Sequence, residues 1–473
     1  MKIIAIFPNL QISKILLIFF VLINKSFSAR NETIGAITLN SKYNHSSSDN
    51  LYFIFEHFRH GARATCEGKF VNNTDILNGK WIIDHGELSN LGRIQHYIIG
   101  AKNKLRYKNF LNSEFDPKEI KIFSTNYNRT INSAQMQLLG LYHNMSYSNI
   151  SNNDIIGEEK IDPNLNSIIP PINLFEFHKE GNKEVFDIFY TEKFTCPLFR
   201  ENILKNLREI DTFETLVNIR NNFNDKYYNI ILTEFNLNDT KTHKGMYDFC
   251  DAFIANFFEE GINRLNLNRL EQKYKFANLT EILNICYSYY KEYFFKLEGE
   301  RYAEINGRLS MSKTFKKIVN IMKDKTNNEN QNNINYNSPK LLLYSGHDDT
   351  LTQMQMFLKA CFNIEFEWIP YASTQLFELR KYGDIFYVEI YYNDRLKLNV
   401  TFKEFYNEIT KKIISDKEIY EKCYKYKLFY RFINKAIYYL IILLICLFII
   451  FISIFTYFYH RQQKIINFIQ LNK

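Results

Sequence analysis

Leu51 to Phe58 is an apolar run rich in β-formers that ends in a polar turn containing Gly61, the pattern of a strand running into a loop. Leu88 to Leu111 carries apolar residues at helical spacing, Ile120 to Phe123 is a short β-like run, and Arg129 to Tyr142 is helical again. This stretch therefore alternates β-α-β-α. Residues 155–325 read as charged amphipathic helix mixed with loop, and residues 326–338 as a polar, Asn-rich low-complexity loop. The alternation then returns, with a strand at Leu341 to Tyr344 and a helix at Thr350 to Ala360. Two further strands, Ser373 to Leu379 and Ile385 to Tyr391, flank a turn at Tyr382 to Asp384. The pattern predicts an α/β fold, a mostly parallel central sheet flanked by helices and built from about 50–154 and 339–405. A mainly α-helical inserted subdomain would occupy about 155–325, with no internal repeat.

Both ends have a different texture. Residues 1–28 begin with Lys2 and Lys14, continue through the apolar stretch Ile15 to Ile23, and reach small residues at Ser26 and Ser28, which reads as a secretory signal peptide. Ala436 to Tyr459 contains no charged residue and is long enough to cross a hydrocarbon layer of roughly 30 Å as a helix. Residues 29–435 are then expected on the lumenal or extracellular side, residues 436–459 as a transmembrane helix and residues 460–473 as a short cytosolic tail. Basic residues before the span outnumber those after it, the reverse of the usual bias; a chain already being translocated needs only a stop-transfer segment. Nine Asn-x-Ser/Thr sequons within residues 29–435 accord with export to a glycosylating compartment. Six cysteines precede the span (Cys66, Cys196, Cys250, Cys286, Cys361, Cys423), an even set expected to form three disulfides. No spacing suggests a metal site.

Charge removes one class of partner. The chain has 59 Lys and Arg against 51 Asp and Glu, but the excess lies in the acid-free ends, leaving 53 basic and 51 acidic groups in residues 29–435. The body is nearly neutral, so a nucleic-acid surface is not indicated.

The densest polar cluster is Arg59-His60-Gly61-Ala62-Arg63, directly after the first strand. Loops beyond the carboxyl ends of parallel strands are where such sheets bind ligands. Two guanidiniums flanking an imidazole repel one another unless an anion sits among them, and arginine's forked donors suit phosphate or carboxylate. The same cations keep His60 neutral and able to attack as a nucleophile. A second cluster, His347-Asp348-Asp349, follows the strand at 341–344 and could share the same sheet edge. Asp348 is the candidate proton donor to a leaving oxygen, and Asp349 an N-cap for the following helix. His57, His85, His96, His143 and His178 have no comparable neighbours along the chain and are read as surface or structural residues.

FRHGARAT at 58–65 with SGHDDTL at 345–351 resembles the histidine acid phosphatases, the two-motif branch that includes lysosomal and prostatic acid phosphatases. GELSNLGRIQHYIIG, IFSTNYNRTINSAQMQLLGLY and PYASTQLFEL fall in the family's order, so the resemblance spans roughly residues 50–400. It implies His60 as the phosphorylated nucleophile, Arg59, Arg63, Arg129 and His347 as phosphate-binding residues, and Asp348 as proton donor. It also implies no metal or other cofactor, small phosphate-monoester substrates, and an exported or type I membrane protein of lysosome, food vacuole or cell surface. Assembly as a homodimer is left open. Thr65 stands where the family has proline, which would loosen the loop that carries Arg63. Two rival readings follow: a phospho-ligand-binding surface protein of little or no activity, and a phytase or inositol polyphosphate phosphatase with contacts from the helical insertion.

Overall fold

The computed structural model describes residues 50–66, 83–142, 173–175, 179–180, 183–184, 196–235, 239–258, 278–298, 303–330, 338–365 and 367–471. The leader read at 1–28, the sequons at Asn31, Asn44, Asn72, Asn144, Asn149 and Asn238, and His143 and His178 lie outside them. The sequons at Asn128, Asn278 and Asn399 are exposed. The described residues divide into two units, the larger within Met1–Thr191 and Asn202–Ile413, the smaller within Glu192–Glu201 and Ile414–Lys473.

The larger unit is built on a seven-stranded sheet. Its strands are β1 (Leu51–Arg59), β2 (Ile120–Thr125), β3 (Asn173–Phe175), β4 (Leu341–Gly346), β5 (Thr374–Tyr382), β6 (Ile385–Tyr392) and β7 (Arg395–Thr401). The order across the sheet is β3-β2-β4-β1-β5-β6-β7. The first four of these positions run parallel, while β5, β6 and β7 add an antiparallel meander at one edge. The expected hairpin turns at Gly383, where φ is +59°. β7 was not read from the sequence, since Arg395–Thr401 interleaves charge with apolar residues and buries none of them fully.

Alternation along β1 sets up both faces of the sheet. Ile54 and Phe58 pack with Tyr107, Leu138 and Leu141 under α1 (Asn90–Arg106) and α2 (Asn128–Tyr142). Phe53 and Phe55 pack with Phe315, Ile318, Phe357 and Phe405 from α7 (Ala303–Asn330), α8 (Asp348–Phe362) and α9 (Phe402–Lys412) on the other face. The result is a three-layer sandwich. Helix α7 lies mostly within the stretch read as an insertion, yet covers the sheet directly, and it extends through residues 326–330 that were expected to be loop. Its buried apolar face carries the helix into the polar tail that follows.

Helix α3 (Pro197–Arg208) opens the remaining helical stretch. Helices α4 (Glu214–Phe235), α5 (His243–Phe258) and α6 (Leu279–Glu298) form a separate aromatic-rich core through Phe223, Phe249, Phe253 and Tyr289, and Ala62, Met356 and Tyr371 join it. The Cys250–Cys286 disulfide ties α5 to α6. In the smaller unit α10 (Asp416–Tyr420) precedes Cys423, which is bonded to Cys196, and α11 (Tyr426–Leu471) follows. Two disulfides thus form rather than three. Cys66 leaves the first loop at the surface and Cys361 sits in the last turn of α8 near the sheet core, so neither enters a disulfide. Within α11, Ile437–Gln462 is long and apolar enough to cross a membrane, with a mean hydropathy of 3.1.

Candidate active site

The two polar clusters meet because β1 and β4 are adjacent parallel strands with Arg59 in register with Gly346. Each strand therefore delivers its following loop to the same sheet edge. The first loop is pinned through its backbone. His60 N–H donates to Gly346 O (3.0 Å), Gly61 N–H to Ser133 Oγ (3.2 Å), Ala62 N–H to Gln95 Oε1 (2.8 Å) and Ala64 N–H to Glu87 O (3.0 Å). Gly61 and Gly92 let the loop and α1 touch: a Cβ on Gly92 would lie 2.1 Å from Ala62 O, and one on Gly61 2.4 Å from Gly92 O. With these N–H groups committed, side chains are left to hold a ligand.

His60 is 3% exposed, and its Nδ1 lies 2.8 Å from the carbonyl oxygen of Gly61. A carbonyl only accepts, so Nδ1 carries the hydrogen and the lone pair resides on Nε2. Burial, then Arg59, Arg129 and Arg63, hold the imidazole pKa well below its ordinary range, keeping the ring neutral in acid. His347 sits across from it with ring centroids 5.6 Å apart, and its Nε2 pairs with Thr125 Oγ1 at 2.9 Å. Burial and then Arg129 push His347 down to about 3.

All three predicted arginines reach the site, in different states. Arg59 donates to Ile369 O (2.7 Å), pairs with Asp348 Oδ2 at 2.7 Å, and stacks 4.5 Å from the Tyr371 ring centre. Arg63 is paired with Asp251, Nη2 to Oδ1 at 2.9 Å. Arg129 lies in the first turn of α2 over the Tyr127 ring at 4.5 Å, and among the described residues no carboxylate pairs with it. Among the described residues the buried Nε–H groups of all three meet no acceptor. Three guanidiniums gathered around His60 suit an anion.

Asp348 opens α8, whose N-cap is His347 rather than Asp349: His347 N–H donates to Thr350 Oγ1 (3.0 Å), and Asp349 N–H donates to Asp348 Oδ1 (3.0 Å). Burial pushes the Asp348 carboxyl up, but Arg59, with His347 and Arg63, more than offsets this and holds it below the usual carboxylate range. The group is ionised before a ligand enters. Three arginines against the Asp348 and Asp251 carboxylates leave one net positive charge, and protonating Asp348 would leave two, the charge that balances a phosphate dianion.

Asp251 and Tyr371 were missed from the sequence. Asp251 lies in the run DFCDAF inside α5, where local pattern assigns a helix position and nothing more. His96 and His57 are structural, as read, and fully buried. Cys66 is exposed. Thr65, in the position of the family's proline, is 3% exposed, and its carbonyl accepts Gly86 N–H at 3.0 Å, so the loop is held there by a hydrogen bond.

With this geometry in place the chain can be compared with known proteins. The family profile described as histidine phosphatase superfamily (branch 2) matches residues 40–393, and the chain belongs to that family of enzymes. Its relatives include the prostatic acid phosphatase of Bos taurus, 26% identical over 347 residues, covering 73% of this chain and 78% of that protein. The lysosomal acid phosphatase of Homo sapiens is 23% identical over 349 residues, covering 73% of this chain and 71% of that one. Among solved structures, the phytase from Citrobacter braakii aligns at a TM-score of 0.49 and 13% identity over 77% of this chain and 98% of that one.

Proposed function

We propose that this phosphatase is membrane-anchored and hydrolyses phosphate monoesters through a phosphohistidine at His60. The observation that carries the reading is the His60 tautomer: Nδ1–H is spent on Gly61 O, leaving an unprotonated Nε2 among three arginines. Nε2 attacks phosphorus and the bond to the ester oxygen breaks. Arg59, Arg63, Arg129 and His347 stabilise the phosphoryl oxygens, and Asp348 protonates the departing alcohol. Asp348 starts ionised, so the proton arrives on the substrate as its monoanion and passes to Asp348 on binding. Water then attacks phosphorus, Asp348 takes its proton, and phosphate leaves as the N–P bond breaks.

An acid of this kind has no use in a phospho-ligand receptor, which favours the enzyme reading over the binding one. The apolar segment Ile437–Gln462 and the leader-like residues 1–28 support a type I arrangement, with catalysis on the lumenal or extracellular side of a lysosome, food vacuole or cell surface. The test uses full-length protein in detergent with an aryl phosphate, quenched to trap a protein-bound, acid-labile phosphoryl group. Wild type should yield the adduct and His60→Ala should yield neither adduct nor turnover; equal hydrolysis by both would sink the mechanism.

A further inference from the structure

Beside the loop that carries His60, Glu56, Gln137 and His96 are buried to 1%, 0% and 0% exposure. They form one chain of contacts. His96 Nε2 lies 3.1 Å from the carbonyl oxygen of Arg59, His96 Nδ1 lies 3.1 Å from Gln137 Oε1, and Gln137 Nε2 lies 2.7 Å from Glu56 Oε1. The other carboxyl oxygen of Glu56 accepts from Asn103 Nδ2 at 2.8 Å.

Each of the three links needs one hydrogen. Arg59 O can only accept, so His96 must supply that hydrogen from Nε2. Gln137 presents one amide atom to each neighbour and can donate in one direction only. The remaining link must be supplied by a second hydrogen on His96, making it an imidazolium, or by a hydroxyl on Glu56. Turning the amide over exchanges these two seats and leaves the count unchanged.

We propose that Glu56, Gln137 and His96 form a proton-holding relay that positions the Arg59 carbonyl, and through it the His60 peptide, and that is complete only while it carries one proton beyond a carboxylate and a neutral imidazole. His96 and Glu56 are positioning residues here. Burial pushes Glu56 up to about 7 and His96 down to about 4, so the proton sits on Glu56 and the amide turns its Nε2 toward His96. The titratable and charged groups facing Glu56 are Asp394, which raises it, Arg106 on α1, which lowers it and is itself paired with Glu378, and Tyr107, whose hydroxyl donates to Glu378; His96 faces the Phe58 ring at 4.8 Å. Above pH about 7 the proton leaves and one link sets two lone pairs against each other. The hold on the loop then slackens.

The kinetic part rests on the phosphatase reading; the structural part does not. Glu56→Gln supplies the missing hydrogen permanently, since an amide can donate to Gln137 and accept from Asn103 at any pH. In full-length protein in detergent, the wild-type melting temperature should carry a fall between the ordinary carboxyl value of about 4.5 and about 7, levelling off above it, and E56Q should lack that fall. With an aryl phosphate, the ratio of E56Q to wild-type kcat/KM should climb above pH 7, by up to roughly tenfold per pH unit, because substrate ionisation cancels in the ratio. Parallel melting curves with a constant ratio would overturn the relay. If neither protein hydrolyses the ester, the phosphatase reading fails and the melting curves alone decide. If E56Q does not fold, infrared spectra of wild type decide: a protonated-carboxyl band lost near pH 7 supports the relay, and its absence at pH 5 overturns it.

Discussion

The pairing of Arg63 with Asp251 predicts a variant that loses stability and gains affinity for phosphate together. Both side chains are largely buried, 9% and 11% exposed, and Asp251 Oδ2 also accepts the Cys66 N–H at 3.3 Å. Asp251→Asn keeps the shape but strands a buried guanidinium without its counter-charge. Removing one member of a buried pair costs about 3 kcal/mol or more, because the remaining ion keeps its desolvation penalty. At roughly 2 °C per kcal/mol for a domain of this size, the melting temperature should fall by about 6 °C. The same change raises the net charge of the pocket by one and frees Arg63, so inorganic phosphate should bind more tightly than to wild type. Phosphate at about 100 times its Kd adds roughly 2.7 kcal/mol to any folded protein, a level the variant reaches at lower concentration. The assay is thermal unfolding of full-length protein across a phosphate titration. A variant that melts like wild type without phosphate, or binds phosphate no better, would show that Asp251 does not compensate Arg63.

Two further substitutions separate chemistry from scaffolding. Asp348→Asn should lower kcat for an alkyl phosphate by roughly 10²–10⁴-fold and for p-nitrophenyl phosphate much less, since only the poor leaving group needs the acid; equal losses would exclude that role. Because the Asp348 pKa is lowered by folding, its stabilisation is present above the ordinary carboxylate range and lost as pH falls below it, and the Asn variant should lack this acid-side loss of melting temperature. Gly92→Ala drives a Cβ to 2.1 Å from Ala62 O, which should cost about 1–3 kcal/mol and raise KM by shifting the loop, so unchanged melting and KM would refute the close contact.

How much of this was legible in the sequence depended on how local each signal is. The loop at Arg59 to Arg63 and the one at His347 and Asp348 announce themselves because each follows a strand that reads as a strand, and the topology then brings both to one edge across roughly 290 residues. The ionisation of Asp348 could not be read, because burial and Arg59 act in opposite directions and only the 2.7 Å pairing decides between them. Asp251 was invisible for a related reason. A carboxylate on a helix looks the same in sequence whether it meets solvent or a guanidinium 188 residues away in the chain. His96 and Gln137 show the limit most clearly. Read alone, each is an unremarkable polar residue on an amphipathic helix, yet together with Glu56 they leave a count of hydrogens that does not close without one added proton. Histidine 60 draws its tautomer from a neighbouring carbonyl, and the backbone before it is held by that count. The sequence motif therefore names the residues that meet at the sheet edge, while their protonation states are set by partners the motif does not contain.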